Sequence, residues 1–222
     1  MSESTPELVV IVGAGPGLGA AVARRLGGDR ATVVLLARSQ ERLDDLVTTL
    51  RESGASAYGV PADVANEAST RAAFAAIRER FGDPDVLVFN PSKYIGGAPT
   101  TVDVDELVDG FKIGVAGALV AVQEVAPAMR RAGRGTVLFT GSGTAIKPYV
   151  GSSGLAVAKA GLRNLAASFA DELEPDGIHV GLVTVDGVLN KGEQFTPAAL
   201  AEQYWRLYAQ DKASWEREVI VR

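Results

Sequence analysis

The chain has 222 residues, enough to bury a sizeable core and ordinarily one domain of the larger kind. Its 47% apolar and 22% charged residues are usual for a globular protein, and a net charge of −5 offers no basic stripe for nucleic-acid phosphates. Without cysteine there is no disulfide, thiolate nucleophile or zinc–thiolate site, and one histidine does not make a two-histidine metal centre. The stretch 1–7 is polar and acidic, so no export signal is expected. No apolar run reads as long enough to span a bilayer, and a cytoplasmic protein without a membrane partner is the expectation.

The first element is Val9-Val10-Ile11-Val12, a β-branched run suited to a strand buried on both faces of a parallel sheet. It runs straight into Gly13-Ala14-Gly15-Pro16-Gly17-Leu18-Gly19. Glycines there remove the Cβ atoms that would keep a phosphate from the amides opening the next helix. That helix end is itself an anion site, through its unpaired N–H groups and its dipole. Alone, such a turn is equally a plain strand-to-helix connection, and only the downstream residues distinguish the two. Leu18, Val22 and Leu26 share a helical face ended by Gly27-Gly28, and 31–36 is the next strand. Ser39 is placed to cap a helix in which Leu43, Leu46, Val47 and Leu50 keep the i, i+3, i+4, i+7 pattern.

A third strand spans 56–60, Phe74, Ile77 and Phe81 mark a third helix, and 85–89 is a fourth strand. Asp103-Val104-Asp105-Glu106 has the form of a capping box. It opens a long helix to 131, with Val104, Leu107, Val108, Phe111 and Val115 on the buried side and Pro127 near the end. Strand five over 134–140, a long helix over 152–173 and strand six beyond Pro175-Asp176-Gly177 come next. A helix over 197–208 and a short strand over 218–221 complete the chain. His179, near the start of strand six, reads as structural.

Repeated β-α units demand right-handed crossovers. They predict an α/β fold: one Rossmann-like doubly wound parallel sheet of about seven strands, helices on both faces, as a single domain over 1–222. Ligands of such sheets bind beyond the carboxyl ends of the strands, where the strand order reverses. The glycine turn and each later motif lie just after a predicted strand, so all could meet at that edge.

The glycines at 13, 17 and 19 do not fit the strict dinucleotide fingerprint, which would need glycine at Leu18. Their G-x-x-x-G-x-G spacing resembles that of the short-chain dehydrogenase/reductase family, and the resemblance runs from Val9 to about Val188 with motifs in the family's order. It implies cofactor contacts from Gly13, Gly15, Gly17, Leu18 and Gly19. Arg38 ends strand two where an NAD site carries an acid; its guanidinium suits a 2′-phosphate, so NADP(H) is expected over NAD(H). Asp63-Val64 matches the family's adenine-contacting pair, and Asn90 survives from its Asn-Asn-Ala-Gly segment, here Phe89-Asn90-Pro91-Ser92. Gly187 and Val188 stand in the family's Pro-Gly segment beside the nicotinamide, with Asp186 an unusual charge there.

Of the catalytic group, Ser142 matches the carbonyl-holding serine and Lys159 the lysine that binds the nicotinamide ribose. The tyrosine four residues before that lysine is replaced by Leu155, and the asparagine of the fourth helix by Gly114. Tyr149 and Tyr94 are the candidate replacement acids. The Asp-Gly variant and Tyr204-Trp205-Arg206-Leu207 resemble a subgroup whose members tend to lack the tyrosine. Tyr204, Trp205 and Tyr208 either line a pocket or bury the last helix. These features imply an NADP(H)-dependent oxidoreductase for a small carbonyl or alcohol, with a non-standard proton donor. The alternatives are a catalytically impaired NADP(H)-binding sensor or scaffold, and a lyase or isomerase without net redox change. The resemblance further implies a homodimer or homotetramer through the two long helices. Their small residues Gly117, Ala118, Ala166 and Ala167 suit either that interface or packing on the sheet.

Overall fold

The computed structural model describes residues 7–28 and 31–222; the N-terminal stretch considered for export lies outside them but for Glu7. Seven strands are β1 (Leu8–Val12), β2 (Thr32–Ala37), β3 (Ser56–Pro61), β4 (Val86–Phe89), β5 (Gly135–Ser142), β6 (Ile178–Val185) and β7 (Glu218–Val221). They pair in parallel in the order β3-β2-β1-β4-β5-β6-β7. The winding reverses between β1 and β4, and the crevice this opens at their carboxyl ends is where a ligand fits.

Strand β1 shows why the apolar run is continuous. Val9 and Ile11 enter the core on one face, Leu8, Val10 and Val12 that on the other, and all five are buried. Each such side chain contributes about 1.5–3 kcal/mol of burial. One face carries α1 (Leu18–Gly27), α2 (Gln40–Glu52) and α7 (Pro197–Tyr208). The other carries α3 (Glu67–Phe81), α5 (Gly117–Ala132) and α6 (Ser153–Leu173). Leu43, Leu46, Val47 and Leu50 are all buried, and the Ser39 side chain accepts from the Arg42 N–H at 3.3 Å. His179 is buried in β6, stacked on Trp215 with 4.8 Å between ring centroids; burial lowers its pKa.

Three expectations need correction. The helix opened by Asp103 is α4 (Val104–Phe111), then a wider π turn (Lys112–Ala116), then α5, so one extra residue interrupts the predicted register. Asp103 does accept from the Glu106 N–H at 3.0 Å. Second, Val104, Val108 and Phe111 are exposed, not buried, because α4 lies at the rim and meets α6 rather than the sheet. Third, the joined stretch Val104–Ala132 is, by length and composition, apolar enough to cross a membrane, and over half of its most apolar window is buried inside the domain. Of the small residues considered for an interface, Gly117, Ala118 and Ala166 are buried within the fold and Ala167 is exposed.

Candidate active site at the carboxyl edge of the sheet

Gly13 leaves β1 with φ +78°, and a Cβ there would lie 2.7 Å from the Pro91 nitrogen. The Gly13 and Ala14 N–H groups both donate to the Leu36 carbonyl, at 2.9 and 3.0 Å, which locks the turn to β2. A Cβ on Gly15 or Gly17 would meet nothing within 4 Å, so this side of the turn faces open space. Gly17 caps α1 with no side chain; the Ala20 N–H is taken by the Gly15 carbonyl at 2.9 Å, which leaves the Leu18 and Gly19 amides for an anion. Leu18 is in the core, and Gly19 packs where a Cβ would come to 3.0 Å from Ala14 Cα.

A cavity of about 870 Å³ starts at Gly13, Ala14 and Gly15. It passes Arg38, Ser39 and Arg42 on the β2 side and reaches Asp63, Val64, Asn90 and Ile113. That volume is in the range of small-molecule and cofactor sites. No acid ends β2. Arg42, one turn beyond Arg38, escaped the sequence reading; two arginines four apart at the start of a helix were the available signal. Asp63 Oδ1 accepts from the Ala65 N–H at 3.0 Å, so this carboxylate shapes its own turn while lining the cavity. Asn90 Nδ2 donates to the Gly13 carbonyl at 3.0 Å, tying the end of β4 to the glycine turn.

The other half of the edge is built by β5, β6 and α6. Lys159 is buried, and its Nζ donates to the Thr140 carbonyl at 2.7 Å. Burial lowers its pKa to about 8, since the ammonium has lost its water. Ser142 Oγ accepts from the Thr144 N–H at 3.3 Å and lies 3.0 Å from Thr144 Oγ1. The Asp186 carboxylate rests on Gly143, where a Cβ would overlap it, and pairs with Arg222 Nε at 3.4 Å. Gly187 lies under the Phe195 ring and Val188 is exposed; neither lines the cavity.

Leu155 sits in the first turn of α6, four residues before Lys159, and Gly114 lies in the π turn, where a Cβ would stand 3.7 Å from Ala158 Cβ. Tyr94 and Tyr149 are 72% and 62% exposed. Their loops are stapled: the Gly97 N–H donates to the Gly151 carbonyl at 3.0 Å, and Ile95 fills a notch left by Gly110 and Gly154. Neither phenol is hydrogen-bonded to Ser142 or Lys159. Tyr204 is fully buried, Trp205 lies under the Arg25 guanidinium at 3.9 Å, and Tyr208 bonds Glu7. All three pack α7 and none lines the cavity.

The family model for short chain dehydrogenase matches residues 7–195. Over 202 residues the chain is 31% identical to the (2S)-[(R)-hydroxy(phenyl)methyl]succinyl-CoA dehydrogenase subunit BbsC of Thauera aromatica, covering 91% of this chain and 79% of that one. It is 28% identical to the ketoacyl reductase HetN of a Nostoc species, over 82% of this chain and 64% of that one. A metagenomic short-chain oxidoreductase solved in complex with NADP superposes with a TM-score of 0.89 at 29% identity, covering 97% of this chain and 96% of that one. With its parallel sheet, its glycine turn and these matches along most of its length, the chain belongs to the short-chain dehydrogenase/reductase family.

Proposed function

We propose that the chain is an NADP(H)-dependent oxidoreductase for a small carbonyl or alcohol, atypical in lacking the family's tyrosine. One observation carries this reading: a single cavity joins the open glycine turn, the Arg38 and Arg42 guanidiniums and Asp63-Val64. The amides opening α1 would hold the pyrophosphate, with Gly15 and Gly17 leaving room and Gly13, Leu18 and Gly19 shaping the turn. Arg38, with Arg42 beside it, would hold the 2′-phosphate, and Asp63, Val64 and Asn90 would border the adenosine. The NADP held by the metagenomic relative supports the same cofactor.

Bound NADPH supplies the hydride. Lys159 would hold the nicotinamide ribose, and Gly187 and Val188, outside the cavity on the loop after β6, would meet the carboxamide. Ser142 keeps its proton and hydrogen-bonds the substrate oxygen through its hydroxyl, whose Oγ already accepts from the Thr144 N–H. The proton consumed comes from Tyr149, with Tyr94 on the stapled loop as the second candidate. A positioned acid is worth ~100- to 10,000-fold in rate, so Tyr149→Phe lowers turnover by at least ~100-fold.

Fluorescence titration with NADPH and NADH tests the reading. NADPH is expected to bind more tightly, and binding of neither sinks it. An NADPH-oxidation screen over aldehydes, ketones and quinones then tests turnover; activity that survives both Tyr149→Phe and Tyr94→Phe removes the proposed acids. Leu155 and Gly114 favour a second reading, an NADP(H)-binding sensor or scaffold, which tight binding without turnover in that screen supports. We also propose self-association through α4, α5 and α6, whose outer faces expose Val104, Val108, Phe111, Leu119 and Val157. Sedimentation showing only monomer at micromolar concentration would refute it.

A further inference from the structure

The Tyr204 hydroxyl, on α7, lies 2.6 Å from Thr140 Oγ1, and Thr140 Oγ1 lies 2.8 Å from Asn90 Oδ1. Every proton in this series is fixed from one end. The Gly13 carbonyl only accepts, so Asn90 turns its Nδ2 toward it, at 3.0 Å. Asn90 Oδ1, also only an acceptor, then faces Thr140 and takes the single Thr140 hydroxyl proton. Tyr204 is left as the donor to Thr140 Oγ1. The Thr140 carbonyl meanwhile accepts from Lys159 Nζ at 2.7 Å. A helix from each face of the sheet therefore meets at one residue of β5, and the series ends on the first glycine of the turn.

Tyr204 is wholly buried and Thr140 nearly so, which shields these bonds from competing water. Burial also pushes the Tyr204 pKa up, so the phenol keeps the proton it donates. Helix α7 is braced on α1, the helix that begins at the glycine turn. Arg25 Nε bonds Glu202 at 2.7 Å, and the same guanidinium covers the Trp205 ring.

We propose that Tyr204 is a positioning residue for the dinucleotide: through Thr140 it fixes the Asn90 amide, and through that amide the Gly13 carbonyl and its turn. The seating of α7 is thereby coupled to cofactor affinity. This rests on the assignment of the cavity to a dinucleotide. Tyr204 touches neither cofactor nor substrate, and its burial removes it as a replacement for the phenol absent at Leu155. A tyrosine that only filled the core would lose stability on losing its hydroxyl and leave affinity unchanged.

The test is an NADPH titration of the wild type, Tyr204→Phe, Thr140→Val and the double variant, each well below its melting midpoint. A hydrogen bond that holds a buried group is worth enough to shift Kd by ~3-fold in Tyr204→Phe and ~10-fold in Thr140→Val. Because both changes cut one series, the double variant is expected to match Thr140→Val alone, and Thr140→Ser to restore the wild-type Kd. A wild-type Kd in Tyr204→Phe, or a double variant at the product of the two single effects, overturns the proposal. Hydrogen exchange at the Gly13 and Ala14 amides reads the same series without cofactor, with ~3-fold faster exchange expected in Tyr204→Phe. Failure of the wild type to bind NADPH or NADH would refute the dinucleotide reading alone. Unchanged exchange would refute the coupling alone.

Discussion

The two halves of the carboxyl edge are built from different materials. On the β1–β3 side, backbone amides, empty space beside Gly15 and Gly17, and two guanidiniums line one cavity. On the β5–β6 side, the features are single side chains: Ser142, the buried Lys159, and two exposed phenols on stapled loops. Binding made by backbone and by absent Cβ atoms is spread over many residues. Proton chemistry rests on one group with the right pKa in the right place, so it is far more sensitive to a single replacement.

The sharpest way to break that contrast lies within the glycine turn. Gly13→Ala puts a Cβ 2.7 Å from the Pro91 nitrogen on a backbone with φ +78°. It is expected to cost about 1–3 kcal/mol of stability by urea unfolding and to weaken NADPH by ~100-fold or more. Gly17→Ala adds a methyl group that meets nothing within 4 Å beyond its own chain neighbours. It is expected to lower affinity by ~30-fold where a phosphate needs that space. An NADPH affinity unchanged in Gly17→Ala would mean that no phosphate occupies that space.

The same distinction governs what was legible in the sequence. The i, i+3, i+4, i+7 pattern found Leu43, Leu46, Val47 and Leu50 because α2 packs one face on a flat sheet. It failed for Val104, Val108 and Phe111, since an apolar stripe is the same in sequence whether it faces the core or the rim. The π turn at Lys112–Ala116 left no mark in a periodicity reading that assumes one pitch. That the glycine turn and Arg38 share one edge could be read because each directly follows a strand. The bonds of Thr140 could not be: they join it to Asn90, Lys159 and Tyr204, which are 50, 19 and 64 residues away. Only the register of β4 with β5, Phe89 against Phe139, brings the strand ends together.

Arg38 and Arg42 sharpen the contrast further, because their effect should depend on one phosphate. Arg38→Ala is expected to weaken NADPH by ~10- to 100-fold, the usual worth of a charge-assisted bond, and to change NADH by less than ~3-fold. Arg42→Ala should do the same more weakly, since it lies one helical turn farther along α2. The ratio of the two dissociation constants is the readout. A parallel loss for both cofactors would make the arginines general anion holders, with no preference for the 2′-phosphate.

On the opposite half, the smallest expected effect is a pH dependence of stability that belongs to Lys159. Its pKa is lowered to about 8 by burial, whereas the unfolded chain keeps the ordinary lysine value. Below pH 8 both states carry the proton, and the folded state bears the full cost of a buried ammonium. Between pH 8 and about 10.5 the folded state releases that proton first, the unfolded state binds more protons, and stability rises with pH. Tyr204 and Tyr208 act in the opposite sense above about pH 10, because their raised values let only the unfolded chain ionise there. Urea unfolding at pH 7.5 and 9.5 isolates the lysine: wild-type stability should gain about 1–2 kcal/mol across that interval, and Lys159→Met should gain none of it. A wild type whose stability is flat over the interval would place the amine in contact with water. Lys159 would then belong with the exposed phenols, and the contrast between the two halves would widen.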